Sequence, residues 1–212
     1  MSHMNRRPTV AAAVGATNGP ARSEAIRDAA MRLFASHGFT ATTFRMVADG
    51  AGTSIGLVQH HFGTKAELIH AVDEHAFTII STALAAPLPD RLDESMAEIG
   101  RRLAALVAEY PSVVDYLGRA LLNGNPVAVS LFDGLVGFSV ERWRQLADDP
   151  TARIDLDPTW AALSPVVLVL TAVILHRHID RHLTVPFSDP NQIHRWCSAV
   201  SALLHAGTAR GQ

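Results

Sequence analysis

The sequence predicts an all-α protein of about nine helices, arranged as a small N-terminal domain followed by a larger helical one. Three observations carry this reading. Apolar residues recur at three- and four-residue spacing along most of the chain. Capping residues, glycines and prolines punctuate those stretches at helical lengths. No alternating β-branched run is long enough to demand a strand, and no internal repeat is present. With 212 residues, 48% apolar and 18% charged, the chain has the composition of a folded globular protein.

The elements follow from local signals. Beyond an N-terminal arm (1–21), Ile26, Ala29, Ala30, Leu33 and Phe34 mark a first helix from about Ala21 to His37, stopped by Gly38. Thr42 or Thr43 caps a short second helix through about Ala51, and Gly52 makes the turn. Ser54 caps a third helix ending near Phe62. Thr64 with Glu67 forms a capping box for a fourth, which stops before Pro87. "DESMAEIGRRLAALVAEY" is helical up to Pro111, and Ser112 with Asp115 opens the next helix, closed by Gly124. Asn125-Pro126, Asp157-Pro158 and Asp189-Pro190 each pair a cap with proline at the first helical position. "PVVLVLTAVILHRHIDRHL" reads as a single helix, and "QIHRWCSAVSALLHAGTA" as the last.

Charge narrows the function. A net charge of −2 excludes a polybasic protein, so any nucleic-acid contact must be local. Residues 1–75 hold seven Arg or Lys against six Asp or Glu, while the rest holds eleven against fourteen. In the arm and just beyond it, Arg6, Arg7 and Arg22 meet no acid, in the manner of basic arms that track phosphates. The one cysteine, Cys197, excludes an intrachain disulfide and a cysteine-cluster metal site. The longest apolar run, "AALSPVVLVLTAVIL", is interrupted by Ser164 and Pro165 and is short for a membrane span, and the opening residues lack a secretory core. The expectation is a cytoplasmic protein. "MSHM" has the look of a cloning remnant and is left out of the reading of the fold.

Two short helices joined by a tight glycine turn behind a longer one have the shape of a helix-turn-helix. In the third helix Val58 and Phe62 point inward, which leaves Ile55, Gly56, Leu57, Gln59, His60 and His61 on the other face. Gly56 lets a backbone approach closely, Leu57 suits a thymine methyl, and Gln59 can pair bidentately with adenine. The histidines can donate to phosphate or base acceptors, and Lys65, the only lysine, can reach a phosphate from the first turn of helix four. Adjacent histidines point about 100° apart on a helix, so His60 and His61 do not chelate a metal together.

The stretch "TTFRMVADGAGTSIGLVQHHFGTKAEL" resembles the DNA-binding segment of the tetracycline-repressor (TetR) family of bacterial regulators, over residues 23–72. The Thr-Thr pair, the arginine, the Ala-Gly turn, the serine at the third helix, and the Phe-Gly-Thr-Lys run all have counterparts in the family pattern. Thr53, Val58 and Gln59 depart from it, where an apolar residue, leucine and often tyrosine are usual. The resemblance implies that Thr43 and Arg45 hold phosphates and that Ser54 caps the third helix at the DNA backbone. It implies that Leu57 and Gln59 face bases, and that His60, His61 and Lys65 clamp flanking phosphates. It also implies a DNA-binding domain (22–75) followed by a ligand-binding and dimerisation domain (76–212).

In that second domain the helix from Pro126 carries two apolar stripes, one of Leu131, Leu135 and Phe138, the other of Phe132, Val136, Val140 and Trp143. A band this wide, with Tyr116, Leu121, Trp160 and His176, is a candidate lining for an apolar small-molecule pocket. Ile193, Trp196, Cys197, Val200 and Leu204 on the last helix are candidates for a dimer interface, which would form a four-helix bundle with a second copy. His178 and His182 share a helical face, with Asp180 nearby, but no third metal ligand stands at convincing spacing, and no cofactor is expected. The expected function is a homodimeric regulator, a repressor released from a palindromic DNA operator by a small hydrophobic effector. A regulator controlled by a protein partner, or an activator, uses the same residues. A helical enzyme is the remote alternative, because no paired carboxylates, nucleophile–base pair or phosphate loop stands at recognisable spacing.

Overall fold

A computed structural model describes residues 19–89, 92–147 and 157–209. Among them are ten α-helices and one 3-10 turn: α1 (Gly19–His37), α2 (Phe44–Gly50), α3 (Ile55–Phe62), α4 (Lys65–Leu84), α5 (Leu92–Glu109), α6 (Pro111–Leu122), α7 (Pro126–Ala147), α8 (Pro158–Ile174), α9 (His176–Ile179), the 3-10 turn Asp180–His182, and α10 (Pro190–Ala209). The fold is all-α. Among the described residues no single helix is long and apolar enough to cross a membrane.

Local chemistry sets most boundaries. Thr43 caps α2 by accepting from the Met46 N–H at 3.3 Å, and Ser54 caps α3 by accepting from Leu57 at 3.2 Å. The capping box at α4 is complete: Thr64 Oγ1 accepts from the Glu67 N–H at 3.2 Å, and the Glu67 carboxylate accepts from the Thr64 N–H at 2.7 Å. The Thr64 N–H, and then the Thr64 hydroxyl at 2.9 Å, donate to the Glu67 carboxylate and hold it below its ordinary range. Asn125, Asp157 and Asp189 each accept from an N–H of the helix that follows.

Four boundaries differ from the sequence-based expectation. Helix α1 begins at Gly19, so Gly19–Ala21 belong to it rather than to the arm, whereas Arg6 and Arg7 lie outside the described residues. Helix α6 is not capped by Ser112; it opens with Pro111 at its first position, which needs no N–H partner. Pro165 sits inside α8 without ending it. The run after it is not one helix: α8 ends at Ile174, Leu175 leaves helical geometry, and the chain bends by 67° into α9. His176 Nδ1, 2.8 Å from the Val173 carbonyl, occupies one acceptor at that helix end.

The core is continuous from the N-terminal helices into the larger bundle. Ile26, Phe34, Val47, Val58, Leu68 and Val72 close the first three helices over the start of α4. Helix α4, about 30 Å long, runs without interruption across position 75, where the sequence reading divides the domains. At its middle sits Asp73, buried, and its carboxylate accepts from the Tyr116 hydroxyl at 2.6 Å and from Asn125 Nδ2 at 3.2 Å. Tyr116 of α6 also packs edge-on to Phe39, with ring centroids 5.7 Å apart. Burial, and then the bond to Asp73, push its hydroxyl far above the usual phenol range, so it stays a donor. One turn on, Arg119 donates to the carbonyls of Ala35 and Ser36, both at 3.3 Å, at the C-terminal end of α1. A cation there also complements the helix dipole.

Because Asp73 keeps its burial when the phenol is removed, Tyr116→Phe should destabilise the protein by about 1–3 kcal/mol. The urea midpoint should fall with an unchanged slope; an unchanged midpoint would mean that the hydroxyl contributes nothing to folding.

Candidate nucleic-acid interface and apolar cavity

Helix α3 is held by one side. Val58 is fully buried and Phe62 half-buried, while Ser54, Ile55, Gly56, Gln59 and His60 are exposed and Leu57 and His61 are half-buried. Thr43 and Arg45 are exposed at the start of α2. The residues selected from the sequence therefore share the outer surface of α2 and α3. The His60 and His61 rings meet at 66°, with centroids 5.6 Å apart. Lys65 differs from the rest: its ammonium donates to the Thr40 carbonyl at 3.0 Å, tying the start of α4 to the turn before α2. Spacing gave no hint of that bond, since its partners lie far apart in sequence.

Gly56 is informative for what does not surround it. Its backbone is not in the left-handed region, and a Cβ added there would meet only Ser54 Oγ at 4.0 Å. The fold does not require glycine at this position, although glycine in a helix interior costs about 1 kcal/mol relative to alanine. An outside surface approaching the backbone would require it.

The second feature is a largely apolar cavity of about 830 Å³ lined by α4 to α8 and open to solvent on one side, where Phe77, Phe138 and Trp160 are exposed. Leu135, Phe138, Trp143 and Trp160 line it, together with Leu131 from the first stripe of α7. Tyr116, Leu121, Phe132, Val136 and His176 lie outside its lining, a correction to the sequence-based set. Tyr116 points instead at Asp73 and α1. His176 is turned to the Val173 carbonyl, with Asp115 3.6 Å away. Phe132 and Val136 are outside the lining although Trp143 of the same stripe is in it, and Leu121 packs against the main core. Lining residues that the sequence reading missed come from α4 (Phe77, Ile80, Leu84), α5 (Ile99, Leu103, Leu106), α6 (Val113, Val114, Leu117) and α8 (Val166, Val169, Leu170). Their signal was apolar periodicity beyond what one core face needs.

The last helix turns the other way from expectation. Ile193, Cys197 and Val200 are buried within the chain, and Cys197 lies where a Cβ on Gly100 of α5 would collide with its sulfur. Burial raises the thiol's pKa. Trp196 is half-buried and packs edge-on to Phe187. The Leu204 side chain lies outside the described residues. The stripe chosen for a partner is thus the helix's own core face. Outward stand His194, Arg195, Ser198, Ala199 and Ala202 of α10, and on α8 the exposed Val167 and Leu168, with Leu175 just beyond its end. Among the described residues no three His, Cys, Asp or Glu side chains gather to hold a metal ion; His178 Nδ1 instead lies 2.7 Å from an Arg181 nitrogen.

An exposed helix-turn-helix face joined through one helix to an apolar cavity defines a class, that of helical DNA-binding regulators. Residues 26–72, the segment from α1 to the first half of α4, match the family described as "Bacterial regulatory proteins, tetR family". The chain is 31% identical over 137 residues to the HTH-type transcriptional regulatory protein RaaS of Mycobacterium tuberculosis, a match covering 63% of this chain and 60% of RaaS. An HTH-type transcriptional repressor of the same organism is 38% identical over 104 residues, covering 49% of this chain and 48% of the repressor. The chain thus spans about half to three-fifths of the length of these relatives. In fold it is similar to a TetR-like transcriptional regulator from Rhodococcus sp. RHA1, with a TM-score of 0.67 at 17% identity over 88% of this chain and 96% of that one.

Gly56→Ala separates the two demands on α3. The free protein should gain about 0.5–1 kcal/mol of stability, while affinity for its DNA site should fall at least tenfold. A gain in stability with undiminished DNA binding would remove Gly56 from the contact surface.

Proposed function

We propose that the chain is a homodimeric, ligand-responsive repressor that binds a palindromic DNA operator and leaves it when a small hydrophobic molecule fills the cavity. The observation that carries this reading is the course of α4. Its first residue, Lys65, is bonded into the helix-turn-helix, and its last turns, from Phe77 to Leu84, form a wall of the cavity. Helix α6 runs in parallel: Val113, Val114 and Leu117 face the cavity, while Tyr116 and Arg119 hold α4 and α1. A molecule that spreads these walls has to move the DNA-binding head or break those bonds.

In this reading Thr43, Arg45, Ser54, His60, His61 and Lys65 contact phosphates, and Ile55, Gly56, Leu57 and Gln59 face base edges. Lys65 would exchange its bond to Thr40 for a phosphate. The two copies would pair through the outward faces of α8 and α10, where Val167, Leu168 and Leu175 leave apolar surface exposed. The small residues Ser198, Ala199 and Ala202 allow close approach there. That arrangement sets two α3 helices on successive major-groove faces, about one helical turn apart. The curated relatives with regulator and repressor names support the reading, as does the similarity in fold to AibR, whose structure was solved with isovaleryl coenzyme A and operator DNA.

Selection of bound sequences from a random DNA pool tests it. The expected product is a palindrome with half-sites about 10 base pairs apart, and Gln59→Ala should relax preference at one base pair per half-site by about 1–3 kcal/mol. Recovery of no motif, with binding that fades uniformly as salt rises, would leave only charge-driven association.

A further inference from the structure

The cavity lining carries Arg102, Arg142, Asp157 and five serines, at 81, 95, 130, 139 and 164; Ser81 and Ser130 donate to carbonyls of their own helices, and Asp157 caps α8. At one end stand Arg102 and Arg142, and both are engaged. Arg102 is buried; its Nε donates to Glu98, Nη1 to the carbonyls of Leu84 and Ala86, and Nη2 to that of Pro87. Arg142 donates to the Pro89 carbonyl at 2.7 Å and the Ser95 hydroxyl at 3.0 Å. These guanidiniums strap the linker between α4 and α5, and a ligand carboxylate would have to strip those bonds to use them.

On α8, Ser164 lines the cavity, and its hydroxyl has no hydrogen-bond partner among the described residues. Its neighbour Pro165 carries no N–H, so the carbonyl of Ala161, four residues earlier and also lining the cavity, lacks its helical donor. A hydroxyl without a protein partner and a carbonyl without its helical donor therefore stand near each other on the α8 wall.

From this we infer that the cavity takes a neutral lipophile bearing a hydroxyl, which donates to the Ala161 carbonyl and accepts from Ser164. A carboxylate has no proton to give the carbonyl and meets guanidiniums that are already bonded to the chain, so burying it is costly. The cavity thus discriminates against free fatty acids of the same chain length. The inference rests on the ligand-responsive reading above and names the chemical class of its effector.

The test uses 1-decanol, decanoate and decane below their aggregation limits at pH 7.5, with the full chain carrying Trp196→Phe. Trp143 and Trp160, both in the cavity lining, then report occupancy by fluorescence. Decanol should bind at least tenfold more tightly than decanoate. Ser164→Ala should weaken decanol about 3- to 10-fold, the worth of one hydrogen bond, and leave decane unchanged, which also controls for folding. Decanoate binding as well as decanol, or Ser164→Ala sparing decanol, overturns the neutral-hydroxyl class and leaves the ligand-responsive reading standing. Failure of all three probes to perturb the tryptophans overturns both.

Discussion

A single buried carboxylate organises the centre of this molecule. Asp73 lies midway along α4, and its oxygens gather a hydroxyl from α6 and an amide from the residue that caps α7. A charge in that position is tolerated only while its hydrogen bonds are made, so three helices must meet there in one geometry. The N-terminal helices pack on one side of this node, through Phe34 and Phe39 against Tyr116. The cavity opens on the other, through Val113, Val114 and Leu117. The node and the Arg119 grip on α1 therefore join the two parts.

The energetics of such coupling are modest. A ligand that prefers the DNA-incompetent arrangement tenfold shifts the equilibrium by about 1.4 kcal/mol per site, comparable to the net worth of one of these hydrogen bonds. On the proposed reading, the junction is strong enough to hold a geometry and weak enough for a bound molecule to overrule. An apolar cavity fits that role, since a lipophile entering it draws its affinity from area removed from water.

The sequence revealed most where the determinants are local. The caps at Thr43, Ser54, Thr64, Asp157 and Asp189 each bind an N–H two or three residues on, so a short window contains the whole interaction. The outward face of α3 was legible for the same reason, with Val58 and Phe62 fixing its inward side. The Asp73–Tyr116 bond and the Lys65–Thr40 bond were not, because their partners are brought together by the fold alone. Helix α10 was read with the wrong face outward: an apolar stripe says that something covers it, and here α5 of the same chain does. The bend at Leu175 falls within an apolar run that holds no glycine or proline after Pro165, so nothing local announced it.

In the proposed dimer, the separation of the two helix-turn-helix heads tests the account most directly. A spin label on Asp49→Cys, exposed on α2, reports it by pulsed electron resonance, because Cys197 is only 4% exposed and stays unlabelled. If α4 and α6 carry cavity occupancy to the heads, saturating 1-decanol should shift the distance distribution by several ångströms. A cavity filled to saturation, as judged by tryptophan fluorescence, with an unmoved distribution would contradict it.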